Sequence, residues 1–137
     1  MGVPVFAGWA AYGDAVVEVA LNDHVVTIGK EGVLGGGSWT PTEVVYVITA
    51  HNPGRLVSAE ENARAQRDLE IMLESRRIPW LPAVGRSRDG SWRESSVAVL
   101  GLAREDAIEI AARFEQDAIF GWDGRTLEVI PSRHCAK

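Results

Sequence analysis

The sequence of 137 residues contains a single cysteine, Cys135, close to its C-terminal end. One thiol cannot form an intramolecular disulfide, so a disulfide-stabilised scaffold is excluded and a reducing compartment is expected. No stretch approaches the roughly eighteen consecutive apolar residues of a membrane-spanning helix. The N-terminal segment also lacks the basic start and long apolar stretch of a signal peptide. We therefore expect a cytoplasmic protein that does not associate with membranes.

Lysine is scarce as well, because it occurs only at Lys30 and Lys137 and arginine supplies nearly all of the positive charge. This bias has two interpretations, a GC-rich genome or the recognition of carboxylate or phosphate groups by the planar guanidinium. The net charge of −5 is the wrong sign for non-specific binding to phosphates. We therefore expect no double-stranded nucleic acid as a partner.

Several signatures of catalysis and cofactor binding are absent. The chain has no Walker loop, no G-x-G-x-x-G after a strand, no G-x-S-x-G and no H-E-x-x-H. Its Gly35-Gly36-Gly37 segment lacks the lysine and the helix start that a phosphate-binding loop requires. The spacing of metal ligands is not found among His24, His51, His134 and Cys135. The sequence therefore predicts no metal and no cofactor.

The apolar fraction of 46% is that of a folded globular protein, and the length predicts one domain over residues 1–137. Two β-branched stretches flank Asn22-Asp23 and predict a β-hairpin over about residues 14–29. The glycine-rich segment 30–43 is expected to be a flexible loop. Residues 44–130 contain the remaining predicted helices and strands.

The order of these predicted elements is β-α-β-β-α-β followed by one more strand. The strands are expected at 44–50, 80–86, 95–101, 118–122 and 126–130, and the helices at 59–77 and 104–115. This order is typical of the ferredoxin-like fold. We therefore predict an α+β protein with one antiparallel or mixed sheet, two helices on one face of it, and the N-terminal hairpin added to a ferredoxin-like core.

In that topology, four polar segments converge at one sheet edge: 51–58, 86–94, 95–96 and 116–118. Asn62 shares a helix face with Leu69 and Leu73, so its amide is expected to be buried. The amide either ties the helix to the Asn52-Pro53-Gly54 turn or contacts a ligand. The side chain of Asn52 either braces the turn or faces a pocket.

Two residues near this edge are candidates for acid–base catalysis, Glu94 and His51. Glu94 could pair with Arg86 or Arg55, either as a surface ion pair or as part of a ligand site. Either residue could instead be structural. The residues expected at this edge as ligand contacts are Asn52, Arg55, Ser58, Asn62, Arg86, Trp92, Glu94 and Gln116.

Five motifs in this region resemble a family of small bacterial proteins known as domain of unknown function 3293. They are Ile48-Thr49-Ala50-His51-Asn52-Pro53, Ser58 with Asn62, Ala83-Val84-Gly85, Trp92-Arg93-Glu94, and Phe114-Glu115-Gln116-Asp117-Ala118-Ile119. The resemblance covers about residues 44–122. It supports grouping these residues and implies no particular reaction.

Three functions remain open at this point. The leading hypothesis is a binding module that recognises a small polar ligand or a protein partner at the sheet edge. The second is a small hydrolase or transferase with Glu94 or His51 as general base. The third is a regulatory or phage-related protein that docks another protein through exposed Trp9, Trp39 or Trp122. An edge strand at 16–21 or 126–130 could also pair between two chains to form a homodimer.

Overall fold

The computed structural model describes residues 14–51 and 57–132. Their strands are β1 (Val16–Ala20), β2 (Val25–Gly29), β3 (Gly32–Gly35), β4 (Val45–Thr49), β5 (Trp80–Arg86), β6 (Arg93–Val99), β7 (Ala118–Trp122) and β8 (Leu127–Pro131). Their helices are α1 (Ala59–Ser75) and α2 (Arg104–Arg113). The predicted N-terminal hairpin is confirmed, because β1 pairs antiparallel with β2 and Leu21 N donates to His24 O across the turn.

All eight described strands belong to one sheet, in the order β3-β2-β1-β5-β6-β4-β7-β8, and every neighbouring pair is antiparallel. Strands β5, β6, β4 and β7 are neighbours, in this order, in the middle of the sheet. Along the chain, α1 separates β4 from β5 and α2 separates β6 from β7. The N-terminal strands extend the sheet beyond β5, and β8 extends it beyond β7. The N-terminal hairpin is therefore an integral part of the sheet.

The sheet curls until its two ends meet, so that it is nearly barrel-shaped. Val19 and Val26 from one end share a buried cluster with Trp122 and Leu127 from the other. In a flat sheet β2 and β8 would lie about 29 Å apart, given about 4.8 Å between neighbouring strands. The Thr126 hydroxyl also donates to the Lys30 carbonyl at 2.6 Å.

The predicted ferredoxin-like α+β fold is therefore wrong. That fold is built on a small open sheet covered by helices on one face, whereas this eight-stranded sheet encloses a second core on its other face. The physical reason is that a strongly twisted sheet also coils, and eight strands are enough for the two ends of this one to meet. The apolar side chains on the face away from the helices are then buried by the curl.

Each face of the sheet thus has its own hydrophobic core. The inner face, enclosed by the curl, carries Val17, Val19, Val47, Ala98 and Trp122. The outer face is covered by α1 and α2 and carries Tyr46, Ile48, Val97, Val99 and Ile119, which pack against Leu69, Leu73, Ala107, Ile110 and Ala111 of the helices. Strand β4 is apolar on both faces, which explains its unbroken β-branched and aromatic run.

Helix α1 begins at the position that its sequence predicts. Ser58 is the N-cap, and its side-chain oxygen accepts the Glu61 N–H at 3.1 Å. Glu60 and Glu61 in the first turn complement the helix dipole. Because the cap fixes where the helix starts, the buried stripe of Asn62, Leu69 and Leu73 faces the outer core.

The glycine-rich segment differs from its prediction as a loop, because residues 32–35 form the edge strand β3, which pairs with β2. Trp39, further along this segment, stacks on Trp122 with ring centroids 6.4 Å apart. The Trp122 indole N–H donates to the Trp39 carbonyl at 3.1 Å. Trp122 is 0% exposed, so it does not contribute to an exposed docking patch. Trp9 lies outside the described residues.

Candidate functional site

A small cavity lies where β4 ends and where β6 and β7 begin, an end of the sheet that we call the rim. In the strand register Thr49 lies opposite Ser96, and Gly85 lies opposite Glu94. The cavity has a volume of about 20 Å³, and we call it the rim cavity. It is lined by Val47, Thr49, Gly85, Trp92, Glu94, Ser96, Ala118, Ile119, Phe120 and Val129.

Trp92 and Glu94 form a fixed pair in the wall of the rim cavity. They are two positions apart on the chain, so their side chains are on the same side of it. The Trp92 indole N–H donates to a Glu94 carboxylate oxygen at 3.2 Å. The Trp92 backbone N–H donates to the Ser87 hydroxyl at 3.0 Å. The hairpin therefore holds the ring, and the ring orients the carboxylate.

The hydroxyl groups of the cavity wall are held by neighbouring backbone atoms. Thr49 donates to the Ser95 carbonyl at 2.9 Å and accepts the His51 backbone N–H at 3.0 Å. Ser96, which is 5% exposed, donates to the Glu94 carbonyl at 3.2 Å. Thr49 thus joins the end of β4 to the start of β6, and the Ser96 hydroxyl is held by the backbone of its own strand.

His51, the other candidate base, is half-buried beside the end of β4. Burial lowers its pKa below the ordinary value. Its Nδ1 atom is buried and has no hydrogen-bond partner among the described residues. His51 is therefore neutral at pH 7, but it does not line the rim cavity.

Gln116 braces the rim. It is 5% exposed, and its side-chain N–H groups donate to the His51 carbonyl at 2.9 Å and the Phe114 carbonyl at 3.2 Å. The Ser132 hydroxyl donates to the Gln116 carbonyl. The end of α2 is thereby tied both to the end of β4 and to the segment after β8. A ligand contact by Gln116 stays a prediction.

Asn62 and Ser58 lie on α1, away from the lining of the rim cavity. The predicted burial of Asn62 is confirmed, since it is 8% exposed. Ser58 uses its oxygen to cap the helix, as described above. A ligand contact by either residue stays a prediction.

Arg86 is separated from Glu94 by the sheet itself. Its neighbour Gly85 lines the rim cavity, so Arg86 projects from the opposite face of β5. There it donates to Glu18 at 2.6 Å, and this bond, with a further one from Arg93, lowers the pKa of Glu18. Of the two partners considered for Glu94, Arg86 is therefore excluded, because it pairs with Glu18 on the other face. Asn52 and Arg55 lie outside the described residues.

The sequence predicted segment 95–96 at this edge without naming Ser96 as a ligand contact, and it did not indicate Thr49, Gly85 or Phe120 as cavity-lining residues. A signal for the burial of Ser96 was available, since it directly precedes the apolar residues Val97, Ala98 and Val99 of β6, and a buried hydroxyl needs a hydrogen-bond partner. For the others, only the register shows which face of the sheet they share.

No group of three or more His, Cys, Asp and Glu side chains is arranged to hold a metal ion in the described part of the chain. Neither described helix combines the length and the apolar character needed to cross a membrane.

The geometry of the rim coincides with a family match. A family model with the description "Protein of unknown function (DUF3293)" matches residues 48–119, more than half of the chain, and the protein belongs to this family. The matched region runs from the end of β4 to the start of β7 and contains Thr49, Trp92, Glu94 and Ser96. No curated protein and no solved structure matches the chain.

Proposed function

We propose that this protein is a cytoplasmic binding module that takes up a small polar ligand at the rim cavity. One observation carries the proposal: polar side chains from separate strands meet around a single cavity within the family-matched region. Convergent polar groups in a concave, otherwise apolar site are typical of ligand-binding sites.

Glu94 is the residue on which the proposal depends most. Its carboxylate is in the wall of the rim cavity, so it lies next to any group that enters the cavity. The Trp92 indole N–H orients it at 3.2 Å. His51 lies outside the cavity lining, so the geometry favours binding through Glu94 over general-base catalysis by His51.

A thermal-shift screen against amines, amino acids, nucleotides and small organic acids tests the proposal, because a ligand that binds only the folded state raises Tm. The wild type is compared with Glu94→Gln, which keeps the size of the side chain and removes its charge. Glu74→Gln is the matched control, since Glu74 is exposed near the far end of α1. We expect a ligand shift in the wild type and in Glu74→Gln and a smaller shift in Glu94→Gln.

Gly85→Ala provides a steric test of the same site. A Cβ at Gly85 would lie 3.8 Å from the Ser96 hydroxyl oxygen and 3.9 Å from the Trp92 ring, so it fits without overlap. It would nevertheless occupy part of a cavity of only about 20 Å³. We expect this variant to keep its Tm without ligand and to lose the ligand shift. Unchanged shifts in both Glu94→Gln and Gly85→Ala would overturn the proposal.

A further inference from the structure

A second and larger concavity lies on the outer face of the sheet, beside α1. We call it the flank groove, and its volume is about 310 Å³. Residues of β1, β2 and β5 form its floor, and Gln66 and Glu70 of α1 form a wall. The rim cavity lies on the inner face, since Val47 and Phe120 in its lining belong to the inner core. The two concavities are therefore on opposite faces of the sheet.

The floor of the flank groove is apolar although it lies outside the core that the helices cover. Val19 and Val26 face the inner core, so their chain neighbours Ala20 and Val25 project from the outer face. Neither Ala20 nor Val25 belongs to the outer core, and Val25 is 51% exposed. The uncovered face of an antiparallel sheet is ordinarily polar. An apolar floor inside a concavity therefore indicates a surface that contacts a ligand.

One polar atom in the wall of the flank groove lacks a hydrogen bond. The Gln66 side chain donates from Nε2 to a Glu70 carboxyl oxygen at 3.1 Å. Its Oε1 atom is buried and has no hydrogen-bond partner among the described residues. A buried acceptor without a donor is costly, and few remain in native structures. The group that fits this wall is a hydrogen-bond donor.

The charged groups of the flank groove do not favour an ionic ligand. Glu18 already accepts hydrogen bonds from Arg86 at 2.6 Å and from Arg93 at 3.4 Å. Glu70 is partly exposed, so an added ion pair would be screened by solvent and would contribute little. The Gln66 oxygen belongs to a neutral amide, which needs a donor and no charge. An uncharged donor on an apolar body is therefore the best complement to this lining.

The size of the flank groove suits a small molecule. Ligand pockets have volumes of about 300–1,000 Å³, and the groove is at the lower end of this range. Trp80 and Pro82 of β5 add ring surfaces to the lining, against which another ring can pack. We propose that the flank groove binds a small uncharged aromatic molecule, packed against Val25 and Trp80, whose N–H or O–H group donates to the Gln66 amide oxygen. Indole and phenol have this chemistry.

The test uses matched pairs of probes that differ in the donor alone. Full-length protein labelled with ¹⁵N is titrated with indole and 1-methylindole, which share their rings, and with phenol and anisole. The Gln66 side-chain amide and the Trp80 indole N–H report binding, because both side chains line the groove. Their resonances are assigned by their loss in Gln66→Met and Trp80→Phe.

We expect indole and phenol to shift both resonances saturably. They are expected to bind about tenfold more tightly than 1-methylindole and anisole, which is the effect of one hydrogen bond to an otherwise unpaired acceptor. Gln66→Met keeps the length of the side chain and removes the acceptor. In this variant the two members of each pair are expected to bind equally, with the Trp80 resonance as the reporter.

Two further variants separate the flank groove from the rim cavity. Ala20→Leu places a larger side chain on the floor of the groove and is expected to abolish binding of indole. Gly85→Ala fills part of the rim cavity and is expected to leave binding of indole unchanged.

Equal binding of indole and 1-methylindole to the wild type would overturn the donor contact with Gln66. Binding that survives Ala20→Leu, or that is lost in Gly85→Ala, would overturn the groove as the site, as would the absence of any shift at Gln66 and Trp80. Tighter binding of Nα-acetyl-tryptophan amide than of indole would overturn the small molecule in favour of a protein partner's side chain. None of these results changes the proposed function, which Glu94→Gln tests at the rim cavity.

Discussion

Glu94 and His51 show how the fold treats two polar side chains near the rim differently. Glu94 lines the rim cavity and accepts the Trp92 indole N–H. His51 is half-buried beside the end of β4, and its backbone is held by Thr49 and Gln116. The carboxylate therefore forms part of the cavity wall, whereas the imidazole lies outside it and makes the stability of the fold sensitive to acid.

The first prediction concerns the pH dependence that His51 imposes. Burial lowers its pKa in the folded state, so between the two pKa values only the unfolded state binds the proton. Its contribution to stability is complete above the unfolded-state value of about 6.5 and is lost as pH falls through the lower folded-state value. We expect Tm to fall between about pH 7.5 and 5.5 in the wild type, and to fall less in His51→Gln.

The control for this prediction is His24→Gln, because His24 is exposed in the β1–β2 turn. This variant is expected to keep the full decrease of Tm over the same pH range. Carboxyl groups with lowered pKa values, such as Glu18 and Asp123, lose their contribution at lower pH. Identical pH profiles for His51→Gln and the wild type would contradict the prediction.

The second prediction separates the two roles of Ser58. Its oxygen accepts the Glu61 N–H, so Ser58→Ala is expected to lower the free energy of unfolding by about 1 kcal/mol. Ser58→Asp, which restores an acceptor at the N-cap, is expected to recover most of the loss. Urea denaturation measures both. A ligand shift that disappears in Ser58→Ala at unchanged stability would instead assign Ser58 to the ligand.

At the scale of elements, the β5–β6 hairpin positions one wall of the rim cavity. Asp89 accepts hydrogen bonds from the Ser91 backbone N–H at 3.0 Å and from the Ser91 and Ser87 hydroxyls at 2.8 Å. Ser87 in turn accepts the Trp92 backbone N–H. The turn therefore fixes the ring that orients Glu94.

The third prediction follows from the acidity of this turn. The bonds from Ser91 and Ser87 lower the pKa of Asp89 from 3.8 to about 2. The stability that these bonds contribute is present above the unfolded-state pKa and is lost as pH falls through the folded-state value. We expect Asp89→Ala to have a lower Tm than the wild type at pH 7, and the difference to narrow below about pH 4. A difference that stays constant with pH would contradict this origin.

The fourth prediction compares three adjacent glycines at the end of β3. Gly36 and Gly37 have φ angles of 86° and 96°, which an L side chain rarely adopts. A Cβ at Gly36 would also overlap the Val25 carbonyl oxygen, whereas one at Gly37 or Gly35 meets no atom within 4 Å.

We therefore expect destabilisation to increase in the order Gly35→Ala, Gly37→Ala, Gly36→Ala. The first change is expected to be nearly neutral, the second to cost about 1 kcal/mol and the third about 2 kcal/mol or more. Chemical denaturation of the three variants gives the order directly. Equal values for Gly36→Ala and Gly37→Ala would mean that the backbone moves to relieve the overlap.

At the scale of the whole molecule, the meeting of the two sheet ends distinguishes this fold from the one expected. The start of α1 was predictable because Ser58 is a cap formed by residues close together in the chain. Strands β4 and β5 were predictable because their apolar patterns are also local. The pairing of Trp122 with Trp39 joins residues 83 positions apart, and no local pattern specifies it. Strand β3 was missed because glycine has low strand propensity.

The same distinction applies to the site. Trp92 and Glu94 were predictable as neighbours because alternate residues of a strand share a face. Arg86 was considered as a partner of Glu94 because the sequence does not show the register of β5 against β6, which places Gly85 opposite Glu94 and is set by pairing over the whole strand. Gln116 was recognised, although its role as a brace depends on the distant His51 carbonyl.

The fifth prediction tests the closure of the sheet. Thr126→Val removes the hydroxyl that donates to the Lys30 carbonyl and keeps the shape of the side chain. We expect stability to fall by about 0.5–1.5 kcal/mol. We also expect amide hydrogen exchange to accelerate in β2 and β3 more than in β4 and β6. Thr42→Val, on an exposed residue before β4, is the control. Uniform acceleration in all strands would contradict a local role in closure.

The closure also has a consequence for biosynthesis. The inner core combines Val17 and Val19 from the first strand with Trp122 and Leu127 from the last two. A chain emerging from the ribosome exposes the apolar side chains of β1 until β8 has been made, because no shorter length supplies both walls of the inner core. Closure of the inner core therefore requires β8, and truncations before β8 leave the early strands without a partner surface.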